Sequence, residues 1–185
     1  MIDLNHIARY RENNRIEAKK AAGGFPHSLW ETYSAFANTI GGLLLLGVEE
    51  DRDKTLHITG VPDGPGYAAQ FWAPVQDPAK VSANILAPED VALHTVDGKQ
   101  ILVISVPRAN RHQRPVYIGE SPFTGAYRPD GAGDYPCSPE HVRALLRDRD
   151  HAPADLAVLG GRTPPAHSPS RPADSRRTAK PSRLG

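Results

Sequence analysis

The sequence predicts an α+β fold in which a mixed, largely antiparallel sheet packs against flanking helices in a single domain, residues 1–150. Apolar residues between 29 and 40 recur every three or four positions, the period of an amphipathic helix. Two alternating runs, 91–96 and 100–106, flank an Asp-Gly-Lys turn, which is typical of a β-hairpin. Residues 151–185 contain six Pro and almost no apolar periodicity, which predicts a disordered tail.

The order of these patterns gives the remaining elements. Those predicted for the first half are a short helix from residue 4 to about 13, a strand over 15–19, a helix over 26–40, a buried strand over 43–48, and its hairpin partner over 55–61. The stretch 62–78, rich in Gly, Pro and aromatic residues, is expected to be an ordered loop. We expect Phe36 and Leu45 to face one another across the helix–sheet interface.

In the second half, the residues after the loop alternate between helical and extended patterns. Besides the hairpin, the predicted elements are a helix over 79–86, short strands at 115–118 and 125–128, and a last amphipathic helix. Ser138 is expected to cap that helix, because a hydroxyl followed by Pro139 is typical of a helix N-terminus.

The charge of the chain restricts the kinds of nucleic-acid binding that it could perform. The whole chain is +1, and the tail holds six Lys/Arg against two Asp/Glu, which leaves 16 Lys/Arg and 19 Asp/Glu in the body. A body of net charge −3 argues against a general coating protein for duplex DNA, because phosphate contacts need a positive excess. A nucleic-acid surface must therefore be local, or be helped by the tail.

Cysteine content and hydropathy exclude further classes. Cys137 is the only cysteine, so the chain has no internal disulfide and no multi-cysteine zinc site. The N-terminus has no apolar core of a secretory signal, and the longest apolar run, 43–48, is far too short to cross a membrane. We expect a cytoplasmic protein without a membrane partner.

Acidic residues near the first predicted strand are the first candidates for chemistry. Glu17 and Lys19 are two positions apart on this strand, so their side chains leave the same face. Glu12, at the end of the preceding helix, could turn towards that face. The simpler interpretation of Glu12 is an exposed helix end.

A second acidic group, Glu49 and Glu50, directly follows the buried strand and is expected to lie in an acidic turn with Asp51. If this strand neighbours that of Glu17, the carboxylates converge beside Lys19. Such a group supplies oxygen ligands for Mg²⁺ or Mn²⁺ and a cation for a phosphodiester. The alternative is a solvated turn without a ligand.

Basic residues give a candidate nucleic-acid surface. Arg108, Arg111 and Arg114 lie in the loop after the last long strand, Arg128 lies beyond it, and Lys19 is followed by Lys20. Arginines at the end of a sheet suit phosphate contacts, although ordinary surface charge explains them equally well.

Gly41 and Gly42 are a weaker sign of nucleotide binding. Phosphate loops run from strand to glycines to helix, whereas here a helix precedes the glycines and a strand follows. ATP binding is therefore the least favoured alternative.

Three segments together resemble the divergent Alba-like domain of the Schlafen family. They read ENNRIEAK at 12–19, SAFANTIGG at 34–42 and LGVEE at 46–50. Further matching segments are 77–78, 103–107, 114–117 and 126–128. The resemblance covers about residues 5–150 and implies a nucleic-acid-binding domain.

The resemblance also implies roles for individual residues. In animal Schlafens, three acidic residues beside a lysine cleave structured RNA with a divalent metal. Glu12 and Glu17 match the first two acids, Glu49 or Glu50 matches the third, and Lys19 matches the lysine.

Two departures from the family pattern bear on this site. Ala18 replaces the usual Phe behind Glu17, and the third acid is Glu rather than Asp. Animal Schlafens double the domain into a clamp, so this chain would need a homodimer to build a comparable groove. The alternative function is a non-catalytic DNA-binding regulatory module or a subunit of a defence system.

Overall fold

A computed structural model describes residues 2–13, 15–131 and 133–151 of the chain. The strands are β1 (Ile16–Lys19), β2 (Gly42–Leu46), β3 (Val48–Glu50), β4 (Leu56–Ile58), β5 (Val91–Val96), β6 (Lys99–Val106), β7 (Tyr127–Asp130) and β8 (Gly133–Pro136). The α-helices are α1 (Leu29–Asn38), α2 (Gly64–Val75), the single turn α3 (Pro122–Gly125) and α4 (Pro139–Asp150). Leu4–Arg9 and Pro88–Asp90 form 3₁₀ helices.

A four-stranded mixed sheet is the centre of the fold, with the strand order β1-β2-β6-β5. β1 and β2 are parallel, whereas β2–β6 and β5–β6 are antiparallel. Two hairpins, β3–β4 and β7–β8, form separate two-stranded sheets. The predicted α+β fold, with a mixed and largely antiparallel sheet and flanking helices, is confirmed.

Each face of the sheet carries its own apolar core. Leu44 and Leu46 of β2 belong to the core that α1 and α2 complete, together with Phe36 and Phe71. Leu45 points to the opposite face, where it packs with residues of the first 3₁₀ helix and of β3 and β4. The prediction that Phe36 and Leu45 are buried is correct, but the expected contact between them is wrong, because neighbouring strand residues alternate between faces.

The stretch 62–78, which was expected to be an ordered loop, is largely helical, because α2 occupies Gly64–Val75. The side chain of Asp63 accepts a hydrogen bond from the Gly66 N–H and caps this helix. Tyr67, Phe71 and Val75, four residues apart, form its buried face. The stretch was expected to be a loop because its glycines and prolines interrupt this four-residue apolar pattern.

The predicted helix over 79–86 is absent. This segment runs without regular structure and makes an isolated bridge between Val81 and Ile118. The Ser82 hydroxyl accepts a hydrogen bond from the Tyr117 N–H at 2.9 Å, so tertiary contacts hold the segment extended. Its short helical pattern is outweighed by pairing with a distant part of the chain.

The predicted buried strand over 43–48 is two strands separated by Gly47. This residue has a φ of +87°, and a Cβ there would lie 2.8 Å from the Gly60 backbone. The chain therefore changes direction at Gly47 and continues as β3 in the second sheet. Glu49 and Glu50 lie in β3, so the expected acidic turn at these two residues is wrong.

The C-terminal part of the domain is partly as predicted. The β5–β6 hairpin is confirmed, and Ser138 caps α4 by accepting a hydrogen bond from the His141 N–H. The predicted strand over 115–118 is reduced to the bridge at Ile118, and α3 and β7 replace the strand predicted over 125–128. The predicted tail, apart from His151, lies outside the described residues.

Within the described residues, none of the helices has the length and apolar character that a membrane crossing requires.

Candidate functional site

The segment SAFANTIGG at 34–42 positions one wall of the candidate site through buried hydrogen bonds. Asn38 donates to the Val116 carbonyl and accepts from the Val116 N–H, both at 2.8 Å. Ser34, one helical turn earlier, donates to the same carbonyl at 2.8 Å and accepts from the Tyr127 N–H at 2.9 Å. These bonds fix the start of β7 against α1, so the polar residues of the motif are structural.

The two glycines of this segment allow the chain to pass from α1 into β2. Gly41 has a φ of +76°, and its N–H donates to the Phe36 carbonyl at 3.0 Å, which ends the helix. A Cβ at Gly42 would lie 2.5 Å from the Phe36 ring. The glycines therefore serve a turn and close packing, in agreement with the weak case for a phosphate loop.

An open cleft of about 470 Å³ lies between the edge of the main sheet, α1 and the β7–β8 hairpin. It is lined by Arg11, Glu12, Asn13, Glu17, Phe36, Glu50, Lys54, Pro129, Gly131, Gly133 and Asp134. The side chain of Asp134 accepts a hydrogen bond from the Thr32 hydroxyl of α1 at 2.5 Å, which ties the hairpin to the helix. We call this feature the acidic cleft.

Three of the predicted acids, Glu12, Glu17 and Glu50, meet in the acidic cleft. The Glu12 N–H donates to Glu50 Oε1 at 3.3 Å, and Glu12 Oε1 accepts from the Ala18 N–H at 3.0 Å. Burial, followed by the negative charges of Glu17 and Glu50, raises the pKa of Glu12. The cleft therefore holds carboxylates that repel one another, an arrangement found at functional sites.

Two lysines offset part of this negative charge. Lys19 Nζ lies 2.6 Å from Glu17 Oε1, and Lys54 Nζ lies 2.8 Å from Glu50 Oε2. The Lys19 side chain is 18% exposed, whereas that of Lys54 is 73% exposed. Lys19 is therefore largely buried beside Glu17, a residue that lines the cleft, whereas Lys54 reaches from solvent to Glu50, whose own side chain is 11% exposed.

Glu49 does not join the cleft. Its carboxylate lies 3.0 Å from Lys20 Nζ and 3.7 Å from His57 Nε2, in a separate surface group. Adjacent strand residues point to opposite faces, so β3 sends Glu50 to the cleft and Glu49 away from it. Of the two residues that the sequence left open, Glu50 lines the cleft with Glu12 and Glu17, and Glu49 does not.

The cleft has the donor chemistry for a hard divalent cation, but its carboxylates are not arranged as a ready cage. Carboxylate oxygens are the ligands that Mg²⁺ and Mn²⁺ prefer. Within residues 2–13, 15–131 and 133–151, no three acidic, His or Cys side chains are grouped closely enough to hold a metal ion as they stand. Glu12, Glu17 and Glu50 would have to draw together, and Lys54 would have to release Glu50.

The arginines that were predicted to bind nucleic acid lie in two places, the loop after β6 and strand β7. Arg108 and Arg111 are exposed in the loop after β6, and Arg128 lies on β7, where it contacts Asp130 at 3.3 Å. Arg114 is 12% exposed, and its Nε has no hydrogen-bond partner among the described residues. Burial, and then the charge of Arg108, lower the pKa of Arg114.

Sequence reasoning missed Lys54, Asp134 and Arg11 as residues of the cleft. Lys54 lies in the turn between β3 and β4, four residues after Glu50. The chain folds back in this turn, so the Lys54 side chain reaches Glu50. Asp134 is 102 positions from its partner Thr32, and no local pattern predicts such a contact. Arg11, next to Glu12, could have been included on proximity alone.

Comparisons with known proteins place the chain among related domains. The family model described as Schlafen, AlbA_2 matches residues 12–135. Among solved structures 14 chains match, including the N-terminal domain of a RecG-related protein, named after an ATP-dependent DNA helicase, from Nitrosomonas europaea. That solution NMR structure is 34% identical, covers 75% of this chain and 92% of that chain, and has a TM-score of 0.51.

A second solved structure is more distant. The DIP2311 protein from Corynebacterium diphtheriae is 21% identical, with a TM-score of 0.45, and the match covers 67% of this chain and 22% of that chain. A search of the curated proteins found no match.

Proposed function

Because the chain belongs to the Schlafen, AlbA_2 family, we propose that it binds nucleic acid and cleaves structured RNA in the acidic cleft with a divalent metal ion. The observation that carries the proposal is the meeting of Glu12, Glu17 and Glu50 beside Lys19. Glu12, Glu17 and Lys19 come from the segment 12–19, whereas Glu50 comes from β3 of another sheet, and the fold brings the three carboxylates into one cleft with Lys19 paired to Glu17.

Each residue has a distinct role in this proposal. Glu12, Glu17 and Glu50 would hold Mg²⁺ or Mn²⁺, which supplies positive charge where a phosphodiester gains negative charge in the transition state. Lys19 is already fixed beside Glu17 and would bind a phosphate oxygen. Burial, and then the negative charges of Glu17 and Glu50, raise the pKa of Glu12, so a cation in the cleft would stabilise its ionised form.

The nucleic acid would also contact basic residues outside the cleft. Lys20, Arg108, Arg111 and Arg128 are exposed and available for phosphate contacts. Because each contact of a basic side chain with a phosphate releases a counterion, we expect binding to weaken as the salt concentration rises. A second copy of the chain would enlarge the surface, and light scattering after gel filtration, with and without RNA, tests for a homodimer.

A non-catalytic DNA-binding module is the second candidate. It is favoured by the contacts of Lys19 and Lys54 with two of the three carboxylates, which leave no ready metal cage among the described residues. The RecG-related neighbour, named after a DNA helicase, adds support for DNA rather than RNA.

The decisive experiment compares Glu17→Gln with Glu49→Gln. Both changes remove one carboxylate charge at similar size, but Glu17 lines the cleft and Glu49 lies outside it. Structured RNA and duplex DNA are incubated with each protein in Mg²⁺, in Mn²⁺ and in chelator. Melting temperature and RNA affinity are measured on the same samples.

We expect Glu17→Gln to lower metal-dependent cleavage by more than the roughly 10–100-fold that outer-shell changes cause. RNA affinity and melting temperature should stay close to wild type, and Glu49→Gln should cleave normally. Equal cleavage by wild type and Glu17→Gln would remove Glu17 from the site. Binding without cleavage by the wild type, with either metal, would favour the non-catalytic module.

A further inference from the structure

A second open cavity, of about 620 Å³, lies where β1 and β2 begin and β6 ends. It is lined by Ile2 and by residues of the segments 10–16, 40–43 and 105–107. Among the described residues that line it, none is acidic and Arg15 alone carries a charge. We call this cavity the strand-end groove. Its apolar, weakly basic lining contrasts with the carboxylates of the acidic cleft.

The strand-end groove adjoins the acidic cleft at the loop before β1. Asn13 lines both cavities, with Arg11 in the acidic cleft and Arg15 in the groove. The Asn13 side chain holds this loop in place, because its Nδ2 donates to the Arg11 carbonyl at 3.1 Å and its Oδ1 accepts from the Arg15 N–H at 2.8 Å. A long ligand that leaves the acidic cleft past Asn13 therefore enters the groove.

The other end of the groove leads to the arginine loop after β6. Because β2 lies between β1 and β6, the groove crosses the sheet from Asn13, before β1, to Pro107, after β6. A Cβ at Gly41, another lining residue, would lie 3.0 Å from the Arg108 backbone nitrogen, so the loop begins at the groove. The groove thus connects the acidic cleft with the loop whose exposed arginines were proposed to contact phosphates.

The side chains in the groove combine a cation with apolar and aromatic surface. Arg15 is exposed, and its guanidinium has no ion-pair partner within the described part of the chain. Ile40 is 53% exposed, and the half-buried Tyr10 also lines the groove. A guanidinium suits a phosphate, and aromatic and apolar surfaces suit the face of a base, so these residues match the two parts of a nucleotide.

We infer that the strand-end groove binds an unpaired segment of the RNA that is cleaved in the acidic cleft. Arg15 contacts a phosphate of this segment, and Tyr10 and Ile40 contact a base. The cavity volume lies in the range of roughly 300–1,000 Å³ that is typical of sites for one small ligand, so the groove admits a nucleotide of a single strand rather than a duplex. The identity of this ligand rests on the proposed function.

The test measures the affinity of the full chain for single-stranded RNA, from a dinucleotide to an octanucleotide, by fluorescence anisotropy over a range of salt concentrations. A duplex of the octanucleotide sequence is the comparison ligand, and chelator prevents cleavage. The variants are Arg15→Gln, Ile40→Asp and, as a matched control, Arg147→Gln. Arg147 is exposed on α4 and lines neither cavity, so its replacement removes the same charge elsewhere. Melting temperatures verify that each variant is folded.

We expect Arg15→Gln to weaken binding of the octanucleotide about threefold to tenfold, with a smaller loss for shorter oligomers and for the duplex. The slope of log affinity against log salt should become shallower by about 0.7, the contribution of one phosphate contact on a single strand. Ile40→Asp should also weaken binding, because it places a negative charge beside the phosphate. Arg147→Gln should stay within about twofold of wild type.

Three results would overturn the inference: an unchanged salt slope in Arg15→Gln, equal losses in Arg15→Gln and Arg147→Gln, or a loss for the duplex as large as that for the single strand. The proposed function can fail separately. Metal-dependent RNA cleavage by the wild type, with octanucleotide affinity unchanged in Arg15→Gln, would overturn the groove and leave the proposed function intact. The expected variant pattern without any cleavage in Mg²⁺ or Mn²⁺ would support the groove and refute cleavage in the acidic cleft. A wild type with no affinity for any RNA would refute both.

Discussion

Replacement of Asn38 by Ala should be among the most costly single changes in the domain. Asn38 is 4% exposed, and it forms two 2.8 Å hydrogen bonds with the backbone of Val116, which is itself fully buried. The Val116 carbonyl would still accept from Ser34, but the Val116 N–H would lose its partner. The change thus removes two good hydrogen bonds and leaves one buried donor unsatisfied.

The expected cost follows from these contacts. Two lost bonds contribute about 1 kcal/mol each, and an unsatisfied buried donor costs roughly 1–3 kcal/mol more, so the free energy of unfolding should fall by about 3–5 kcal/mol. Such a loss is a large part of the roughly 5–15 kcal/mol that stabilises a typical domain. The start of β7 should loosen first, because Asn38 also donates to the Tyr127 carbonyl at 3.3 Å, and only the bond from the Tyr127 N–H to Ser34 would remain.

Urea unfolding, followed by circular dichroism, measures this loss. Thr39→Ala is the matched control, because the Thr39 hydroxyl donates only to the Ala35 carbonyl within the same helix. We expect the control to cost less than about 1 kcal/mol. If Asn38→Ala costs no more than Thr39→Ala, the buried network does not hold the β7 wall of the cleft, and our account of the SAFANTIGG segment is wrong.

Three further predictions follow from the fold and the charges. Phe36→Ala and Leu45→Ala should each cost about 2–5 kcal/mol and add within about 0.5 kcal/mol, since they lie in different cores; strong non-additivity in the double variant would contradict this arrangement. Truncation after Asp150 should leave the melting temperature nearly unchanged and flatten the salt dependence of RNA binding, because the tail is basic; a large fall in melting temperature would indicate that the tail contributes to the fold. Glu12→Gln should raise the melting temperature at pH 7, because the raised pKa of Glu12 means that its ionisation destabilises the folded state as pH rises above its ordinary value of 4.5. The difference from wild type should shrink below that pH, and an unchanged gap would contradict the sign of the shift.

The candidate site was predicted from the sequence only where local pattern and resemblance agreed. Glu17 and Lys19 share a face because strand residues two apart always do, and in the structure they form an ion pair of 2.6 Å, with Glu17 lining the cleft. The choice between Glu49 and Glu50 could not be made, because it depends on the turn at Gly47 and on the register of β3 with β4. The sequence could not show that Arg114 is more buried than its exposed neighbours, because the burial of a loop residue depends on which distant residues pack over it.

The sequence by itself determined the amphipathic face of α1, the β5–β6 hairpin, the Ser138 cap of α4 and the family signature. Each of these depends on residues close together in the chain, where side-chain period, turn chemistry and capping act directly. Only the tertiary structure decided that α2 is a helix, that β2 and β3 belong to different sheets, and that Glu12, Glu17 and Glu50 share one cleft. These features arise from contacts between distant segments, such as the close approach of Gly47 to Gly60 and the bond from Thr32 to Asp134, which override local preference.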